Sequence, residues 1–459
     1  MEYEEFIRRK LSTVPSTGIS GRIVMPDSLF AHQAALTKWA LQRGRAAIFA
    51  DTGLGKMRME LAWSDAAIKH TQMPGIILTP LAVAPQLAEE AKLMGIDAKV
   101  CRSSADLIDG INITNYDRMH LFDPSVFGSV SLDESGCIKH HDTKTFSGLT
   151  DAFRYTPFKL PSSATPAPND WTELGTHAEF LGVCTRAEML AEFFCHDGAE
   201  TQVWRLKGHA RSLFWKWVAT WGAMVRRPSD LGFSDEGYIL PPLRMHEHIV
   251  DFEIVADGQL FATEAQTMSD RRRARKLSMD MRVKACADVV NAEPNEAWVV
   301  WCDLNAEGDA LTAAIDGAIQ VSGSDDIDTK ESRLMDFAQE RARVLVSKPS
   351  ICGWGLNWQH SARMAFVGVT DSYEKTYQAI RREWRFGQKR PVDVHVFASK
   401  AEGAVVANIK RKEAAALEMA EQLSAETREA VMREVVGLTR ETNKYDAAQK
   451  VKSPSWIGA

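Results

Sequence analysis

The sequence has no Cys-x-x-Cys pair, no apolar run near the length of a membrane span and no excess of positive charge. Its seven cysteines are scattered along 459 residues, which argues against a disulfide framework or a zinc ribbon and favours reduced core cysteines. A transmembrane helix needs roughly 20 apolar residues, and no run approaches that length. The first ten residues, MEYEEFIRRK, lack the apolar segment of a secretory signal. We therefore expect a cytoplasmic protein with no membrane segment.

The formal net charge of −6 does not by itself favour a nucleic-acid-binding protein. Basic side chains are nevertheless clustered, and the clusters lie at Arg226-Arg227, at 271–276 and at 381–390. For any one cluster the simpler interpretation is a solvated helix face. In a nucleic-acid-binding protein, Arg271, Arg272 and Arg273 could add nonspecific affinity that weakens with salt.

A chain of this length is expected to form two or three compact domains. Short apolar runs alternate with helical segments in the first half, which predicts buried strands in a parallel sheet covered by helices. The predicted strands of this first series are 46–50, 76–79, 111–114 and 130–132. A second series after Pro241-Pro242 predicts strands at 298–301, 318–321, 344–347, 364–369 and 392–397.

Between the two series, residues 171–221 have helical spacing and many aromatic residues, and we interpret this segment as a helical insertion. Its tryptophans could stack on nucleic-acid bases, but an apolar stripe at helical spacing is more typical of core. The segment 405–436 is rich in Ala, Glu and Lys and is predicted to be helical.

The strongest chemical feature lies at 46–61, where an apolar strand breaks into a glycine-containing loop that opens a helix. Gly53 and Gly55 permit a tight turn whose N–H groups face an anion, and Lys56 adds a cation at the start of the helix. This pattern predicts a binding loop for a nucleoside triphosphate, and the alternative is a plain glycine turn with an exposed lysine. Met57 stands where such loops usually have a Ser or Thr that binds Mg²⁺. Because a thioether is a poor ligand for Mg²⁺, we expect weaker metal binding or slow turnover.

Two further groups could complete a site for ATP hydrolysis. Asp133 and Glu134 follow a predicted strand, and their carboxylates could hold Mg²⁺ and orient the attacking water. Arg382 and Arg385 are three residues apart, so a helix would present both on one face as candidate arginine fingers. Taken alone, the acidic pair could be a solvated loop, and the arginines could be a basic surface or a contact to phosphates.

These groups belong to a longer ordered series of motifs. In chain order the series comprises FAHQ with Gln33, ADTGLGKM at 50–57, Leu78-Thr79-Pro80, Thr114-Asn115-Tyr116, Asp133-Glu134, Ser163-Ala164-Thr165-Pro166, MVRRPSDLG…LPP at 224–242, 299–311, Val321-Ser322-Gly323-Ser324 with Phe337, CGWGLNW at 352–358 and QAIRREWRFGQ at 378–388. The series resembles that of superfamily-two helicases of the Swi/Snf type, over roughly residues 25 to 400. As a short stand-alone version of this series, the chain resembles those carried by bacteriophages. The acidic motif departs from the family at Ser135-Gly136, where Ala or Gly and then His or Asp are common.

The resemblance implies an α/β fold made of two tandem RecA-like parallel-sheet lobes, with a helical insertion and a C-terminal helical segment. The implied division is an N-terminal extension at 1–24, lobe 1 at 25–242 with the insertion at about 171–225, lobe 2 at 243–400, and a C-terminal helix and tail at 401–459.

The resemblance also implies a site that uses ATP and Mg²⁺. The catalytic residues would be Lys56, Asp133, Glu134, Arg382 and Arg385, with Mg²⁺ at Asp133. The nucleotide contacts would be Gln33, Thr52, Gly53, Leu54, Gly55, Lys56, Met57, Gly355 and Gln378. The nucleic-acid contacts would be Thr79, Asn115, Tyr116 and Ser324.

The function implied by the resemblance is a motor that couples ATP hydrolysis to movement on double-stranded DNA, in replication, recombination, repair or remodelling. Its setting would be the cytoplasm of a bacterium or of a phage-infected host. Two alternatives stay open. The first is a helicase that separates strands of DNA or RNA, and the second, motivated by Met57, is a weakly hydrolysing clamp that binds ATP and DNA.

Overall fold

The computed structural model describes residues 17–167, 170–197, 200–251, 276–352, 358–368, 373–400, 427–429 and 431–437. These residues form two α/β lobes, each built around its own parallel sheet. The α/β class and the two parallel-sheet lobes predicted from the sequence are confirmed. Gly355, Arg271, Arg272 and Arg273 lie outside the described residues, as do 1–16 of the predicted N-terminal extension.

Lobe 1 alternates strands and helices before and after its insertion. Its elements in chain order are α1 (Ala31–Arg43), β1 (Ala47–Ala50), α2 (Lys56–Thr71), β2 (Gly75–Thr79), α3 (Ala84–Leu93), β3 (Ala98–Val100), β4 (Ile111–Asn115), β5 (Ser129–Leu132), α4 (Lys144–Ala152), β6 (Phe158–Pro161), α5 (Leu174–Leu181), α6 (Arg186–Phe193), β7 (Phe194–Asp197), β8 (Glu200–Leu206), α7 (Arg211–Ala219) and β9 (Gly222–Val225).

The sheet of lobe 1 has the order β3-β4-β2-β5-β6. Bridges from Arg45 to Lys159 and from Ile48 to Ser162 add β1 beside β6, and β9 pairs with the other side of β1. All of these pairings are parallel. Every residue of β1 and of β5 is buried, because helices cover both faces of the sheet.

Successive side chains of β1 enter different cores, since a strand alternates its faces. Ile48 packs with Trp63 of α2. Phe49 packs on the opposite face, in a cluster that contains Phe214 and Trp221 from the insertion. The aromatic residues of the insertion are therefore core, as their helical spacing predicts.

The insertion differs from the purely helical prediction at two places. β7 and β8 form an antiparallel hairpin, and β9 is a sheet strand. The sequence of β9, GAMV, is short and begins with glycine, so it gave no periodic signal. Pairing with the buried strand β1 stabilises it in the sheet, and a Cβ added at position 222 would lie 3.2 Å from the Phe49 ring.

Lobe 2 is the second strand and helix series. Its elements are β10 (Leu243–Val250), α8 (Met279–Asn291), β11 (Trp298–Cys302), α9 (Asn305–Ala314), β12 (Ala318–Val321), α10 (Ile327–Ala338), β13 (Val344–Ser347), α11 (Pro349–Cys352), β14 (Arg363–Val367), α12 (Tyr373–Ile380) and β15 (Val392–Ser399). The sheet order is β10-β15-β14-β11-β13-β12, and its pairings are parallel. β10 was not predicted, because it is a half-exposed edge strand with polar residues at alternate positions.

The described C-terminal residues, 427–429 and 431–437, are largely helical and pack on lobe 1. Val431 is buried in the same core cluster as Trp63, and Glu434 pairs with Arg43 at the end of α1. Because lobe 2 precedes this segment, the chain returns to lobe 1 after completing lobe 2. Among the described residues, no helix is long and apolar enough to cross a bilayer.

Candidate active site between the lobes

A cleft of about 320 Å³ lies where the carboxyl ends of β1 and β5 face the segment after α12. Residues of both lobes line it, as expected for ligand sites at the carboxyl edge of a parallel sheet. The predicted site residues that it brings together are Gln33, Thr52, Gly53, Gly55, Lys56, Met57, Asp133, Glu134, Gln378, Arg382 and Arg385. Leu54, which was also predicted, is buried and does not line the cleft.

The loop between β1 and α2 depends on its two glycines. Gly53 and Gly55 have φ angles of +91° and +84°, a region that residues with a Cβ rarely adopt. A Cβ on Gly55 would lie 2.2 Å from Gln33 Nε2, and one on Gly53 would lie 3.0 Å from the backbone nitrogen of Phe386 in lobe 2. The two glycines thus allow both the turn and the close approach of its neighbours.

The polar groups nearest the loop bond to its own backbone. The Lys56 ammonium donates to the carbonyl of Ala50 at 3.0 Å. Gln33 donates through Nε2 to the Leu54 carbonyl at 3.0 Å and accepts from the Phe30 N–H at 3.0 Å. These bonds fix the loop, and the Lys56 ammonium keeps two donors for other acceptors.

The acidic motif has an unusual backbone. Glu134 has φ +52°, a left-handed conformation that costs roughly 1–2 kcal/mol for a residue with a side chain. Strain of this kind is concentrated at functional sites. Asp133, just before it, accepts a hydrogen bond from the Thr79 hydroxyl at 2.7 Å.

Three carboxyl groups are close enough to perturb one another. Burial, followed by the Glu134 carboxylate, raises the pKa of Asp133 to about 6. Glu60, one turn into α2, accepts from the Ser162 hydroxyl, and burial and Asp133 raise its pKa well above the usual range. Its Oε2 atom is buried without a hydrogen-bond partner in the described part of the chain. The clustered carboxyl oxygens next to the loop are the type of ligand that Mg²⁺ prefers.

The insertion contacts the acidic motif through a buried pair. His177 of α5 lies 3.1 Å through Nε2 from the Ser135 hydroxyl, and its ring stands edge-on to Phe49. Burial lowers the pKa of His177 to about 4, so the imidazole is neutral. This contact was not predicted, because Ser135 and His177 are far apart in the sequence.

The helical placement of Arg382 and Arg385 was wrong, although both line the cleft. α12 ends at Ile380, and the two arginines lie in the turns that follow. Helical bonding stops there because the Arg382 N–H bonds to Ala379, three residues back, and the Arg382 carbonyl accepts from the Trp358 N–H. Burial, aided by Arg381, lowers the pKa of Arg385 to about 10, which leaves it charged at neutral pH.

Asp51, Tyr377 and Arg381 were not predicted as site residues. Arg381 pairs with Asp51 at 2.7 Å across the lobes, and the Tyr377 hydroxyl donates to Asp51 at 3.0 Å. The adjacent arginines at 381 and 382 were visible in the sequence, but the acidic partner of Arg381 depends on tertiary structure.

The predicted nucleic-acid contacts do not form one group. Thr79 is fully buried against Asp133, and the Tyr116 hydroxyl donates to the Asp133 carbonyl at 2.6 Å. Asn115 accepts from the Arg118 N–H at 3.0 Å. Ser324 is exposed on lobe 2. The Thr79 side chain is therefore oriented toward the acidic motif.

No protein-family model matches the chain, and no curated protein matches its sequence. One similar solved structure is the Sulfolobus solfataricus SWI2/SNF2 ATPase core in complex with dsDNA. It is 15% identical, the match covers 90% of this chain and 98% of that chain, and the TM-score is 0.42.

Proposed function

We propose that the chain is a nucleic-acid-stimulated ATPase that couples hydrolysis to movement on double-stranded DNA. The observation that carries the ATPase assignment is the convergence of three groups in one cleft. Lobe 1 supplies the glycine loop with Lys56 and the acidic pair Asp133-Glu134, and lobe 2 supplies Arg385. Cleavage of a phosphoanhydride needs these elements, namely a cradle, a metal ligand, a group that orients water and a cation for the developing charge.

Each residue has a role that follows from its position. The N–H groups of the loop and the Lys56 ammonium bind the phosphates of ATP. Asp133 would hold Mg²⁺, and the ion would supply positive charge against the β- and γ-phosphates. Glu134 orients and deprotonates the attacking water, and Arg382 and Arg385 stabilise charge on the γ-phosphate. Because these arginines come from lobe 2, hydrolysis depends on the approach of the two lobes.

The base would lie beside Gln33, at an aromatic rim made by residues of both lobes. The rings of Tyr238 and Phe386 are 4.6 Å apart, and Phe30 is 6.2 Å from Tyr238 and 6.1 Å from Phe386. All three residues line the cleft. Stacking on such rings gives a nucleobase affinity without great specificity, and the Gln33 amide can add selectivity once it exchanges its bond to the loop.

Nucleotide binding can be tested separately from turnover. Titration with a fluorescent ATP analogue is expected to saturate for the wild-type chain. Binding should be weakened about tenfold or more by Lys56→Ala, since the ammonium contributes a charge-assisted contact to phosphate. Lys69→Ala removes an exposed lysine from the same helix and should bind like the wild type. Equal affinity in Lys56→Ala would show that the loop does not hold the phosphates.

Replacement of Met57 by threonine should strengthen the binding of Mg²⁺ or raise the ATPase rate. Met57 is the second residue of α2 and lines the cleft, so a hydroxyl at this position could bind Mg²⁺ or one of its waters. We expect a higher ATPase rate or a lower Mg²⁺ concentration at half-maximal rate, measured by phosphate release across a Mg²⁺ titration. An unchanged rate and an unchanged Mg²⁺ dependence would show that the site already accommodates the methionine.

Movement on duplex DNA is supported by the order of the motifs in the sequence. Strand separation of DNA or RNA is the alternative function that the same motif series leaves open. Displacement of a labelled strand from a partial duplex in the presence of ATP distinguishes the two. A protein that moves on duplex DNA without separating its strands would leave the labelled strand paired while it hydrolyses ATP.

A further inference from the structure

Asp51 connects lobe 2 to the strand that leads into the glycine loop. Its carboxylate accepts from the Tyr377 hydroxyl at 3.0 Å and pairs with Arg381 at 2.7 Å. Tyr377 and Arg381 are one helical turn apart, and the Arg381 N–H bonds to the Tyr377 carbonyl at 3.0 Å. Arg381 also donates through Nε to the Tyr377 hydroxyl at 3.0 Å. One end of α12 thus provides both contacts with a fixed spacing.

On the lobe 1 side, the same carboxylate controls the start of the loop. The Thr52 N–H donates to Asp51 Oδ1 at 2.6 Å, and the Asp51 N–H donates to the Val225 carbonyl of β9 at 2.9 Å. A change at the lobe 2 contacts therefore reaches the backbone of the loop through a single side chain.

The surroundings of Arg381 hold its guanidinium in place. Arg381 is 6% exposed, and its guanidinium carbon lies 5.3 Å from the Tyr377 ring centre and 5.0 Å from that of Trp384. The Trp384 indole N–H in turn donates to the Pro241 carbonyl at 2.7 Å, in the segment that joins the lobes. A planar guanidinium stacked on rings and paired with a carboxylate is a directional contact that an ammonium reproduces only in part.

Asp51 remains ionised in this position. Burial acts to raise its pKa, but the Arg381 guanidinium and the hydrogen bonds outweigh that effect and hold the pKa below the ordinary value. Tyr377 lines the cleft together with Arg382 and Arg385, whereas Asp51 and Arg381 do not. The pair therefore lies behind the wall on which a nucleotide would bind.

We propose that Asp51, Tyr377 and Arg381 form an interlobe latch that holds the lobes closed and sets the position of the glycine loop. They are positioning residues that act through the loop backbone. The effect on turnover rests on the proposed ATPase function, whereas the effect on closure does not.

The test is the distance between the lobes in the full chain, measured by energy transfer between fluorophores on non-canonical amino acids at positions 69 and 284. Lys69 in lobe 1 and Lys284 in lobe 2 are both exposed. Without nucleotide, Arg381→Met and Asp51→Asn should each reduce the closed population relative to the open one about tenfold, and the double variant should add little, because the two residues share one contact. Arg381→Lys should restore part of the closure.

Two further variants keep the test decisive. Tyr377→Phe removes only a hydroxyl, so it should fold normally and show a smaller opening. Arg390→Met breaks an ion pair with Glu296 inside lobe 2 and should leave the distance unchanged. If Arg381→Met and Asp51→Asn fold but keep the wild-type distance, the latch does not exist. The distance needs no hydrolysis, so an inactive wild-type chain would contradict the proposed function and leave this result valid.

Discussion

Glu134→Gln is expected to lower the maximal ATPase rate by roughly 10²- to 10⁴-fold, the usual contribution of a general base. The amide keeps the size of the side chain but cannot accept the proton of the attacking water. Glu134 lines the cleft with Arg385 on the facing lobe, and the left-handed backbone at this residue fixes its orientation. ATP binding should persist, so the loss appears in kcat and much less in KM.

Phosphate release measured at saturating ATP and Mg²⁺ checks this expectation. Asp142→Asn is the matched control, since Asp142 is an exposed acid on the loop after the same motif, and it should retain wild-type activity. A Glu134→Gln chain that hydrolyses ATP as fast as the parent would remove Glu134 from the mechanism.

The second large effect is expected in the core of lobe 2. Arg282 of α8 and Glu307 of α9 form an ion pair at 2.8 Å, and both side chains are fully buried. Glu307 also accepts from the N–H groups of Asp303 and Leu304, each at 3.0 Å, while Arg282 donates to the Ser278 hydroxyl at 3.0 Å. Removal of one partner leaves a buried charge, which costs about 3–5 kcal/mol.

We therefore expect Glu307→Leu or Arg282→Met to lower the free energy of unfolding by that amount. Replacing both residues should recover much of the loss, since a well-packed apolar pair can match a buried ion pair. Urea titration measures the change, and hydrogen exchange of the β11 amides assigns the transition to lobe 2. Lys284→Met, which breaks an exposed pair with Asp288, should change stability by no more than about 0.5 kcal/mol. An equally small change in Glu307→Leu would mean that the buried pair contributes little.

Much of the architecture could be predicted because buried parallel strands are continuous apolar runs. β11 and β13 are such runs, and helical segments with different periodicity separate them. β9 and β10 were missed for different reasons. β9 is as short as β13, but it begins with the small residues Gly222 and Ala223 directly after the aromatic helical segment. β10 is an edge strand that mixes polar and apolar residues and has no fully buried position.

The site was predictable where its residues lie in one local motif. The loop with Gly53, Gly55 and Lys56 is such a case, because a strand, a turn and a helix N-terminus define it within a few residues. The end of α12 could not be predicted in this way. Backbone hydrogen bonds from the Trp358 N–H to the Arg382 carbonyl and from the Arg382 N–H to the Ala379 carbonyl end the helix before Arg382. The ion pair between Asp51 and Arg381 could not be predicted either, because no local sequence pattern specifies which acidic residue pairs with which arginine across the two lobes.

We propose that the interlobe cleft hydrolyses ATP in response to duplex DNA. This is tested most directly by phosphate release from the full chain with Mg²⁺ and ATP in four parallel reactions, with no nucleic acid, single-stranded DNA, double-stranded DNA or RNA. We expect a low basal rate, stimulation by double-stranded DNA above the other three, and loss of that stimulation in Glu134→Gln. Absence of turnover in all four reactions would contradict it and leave a nucleotide- and DNA-binding clamp as the function of this chain.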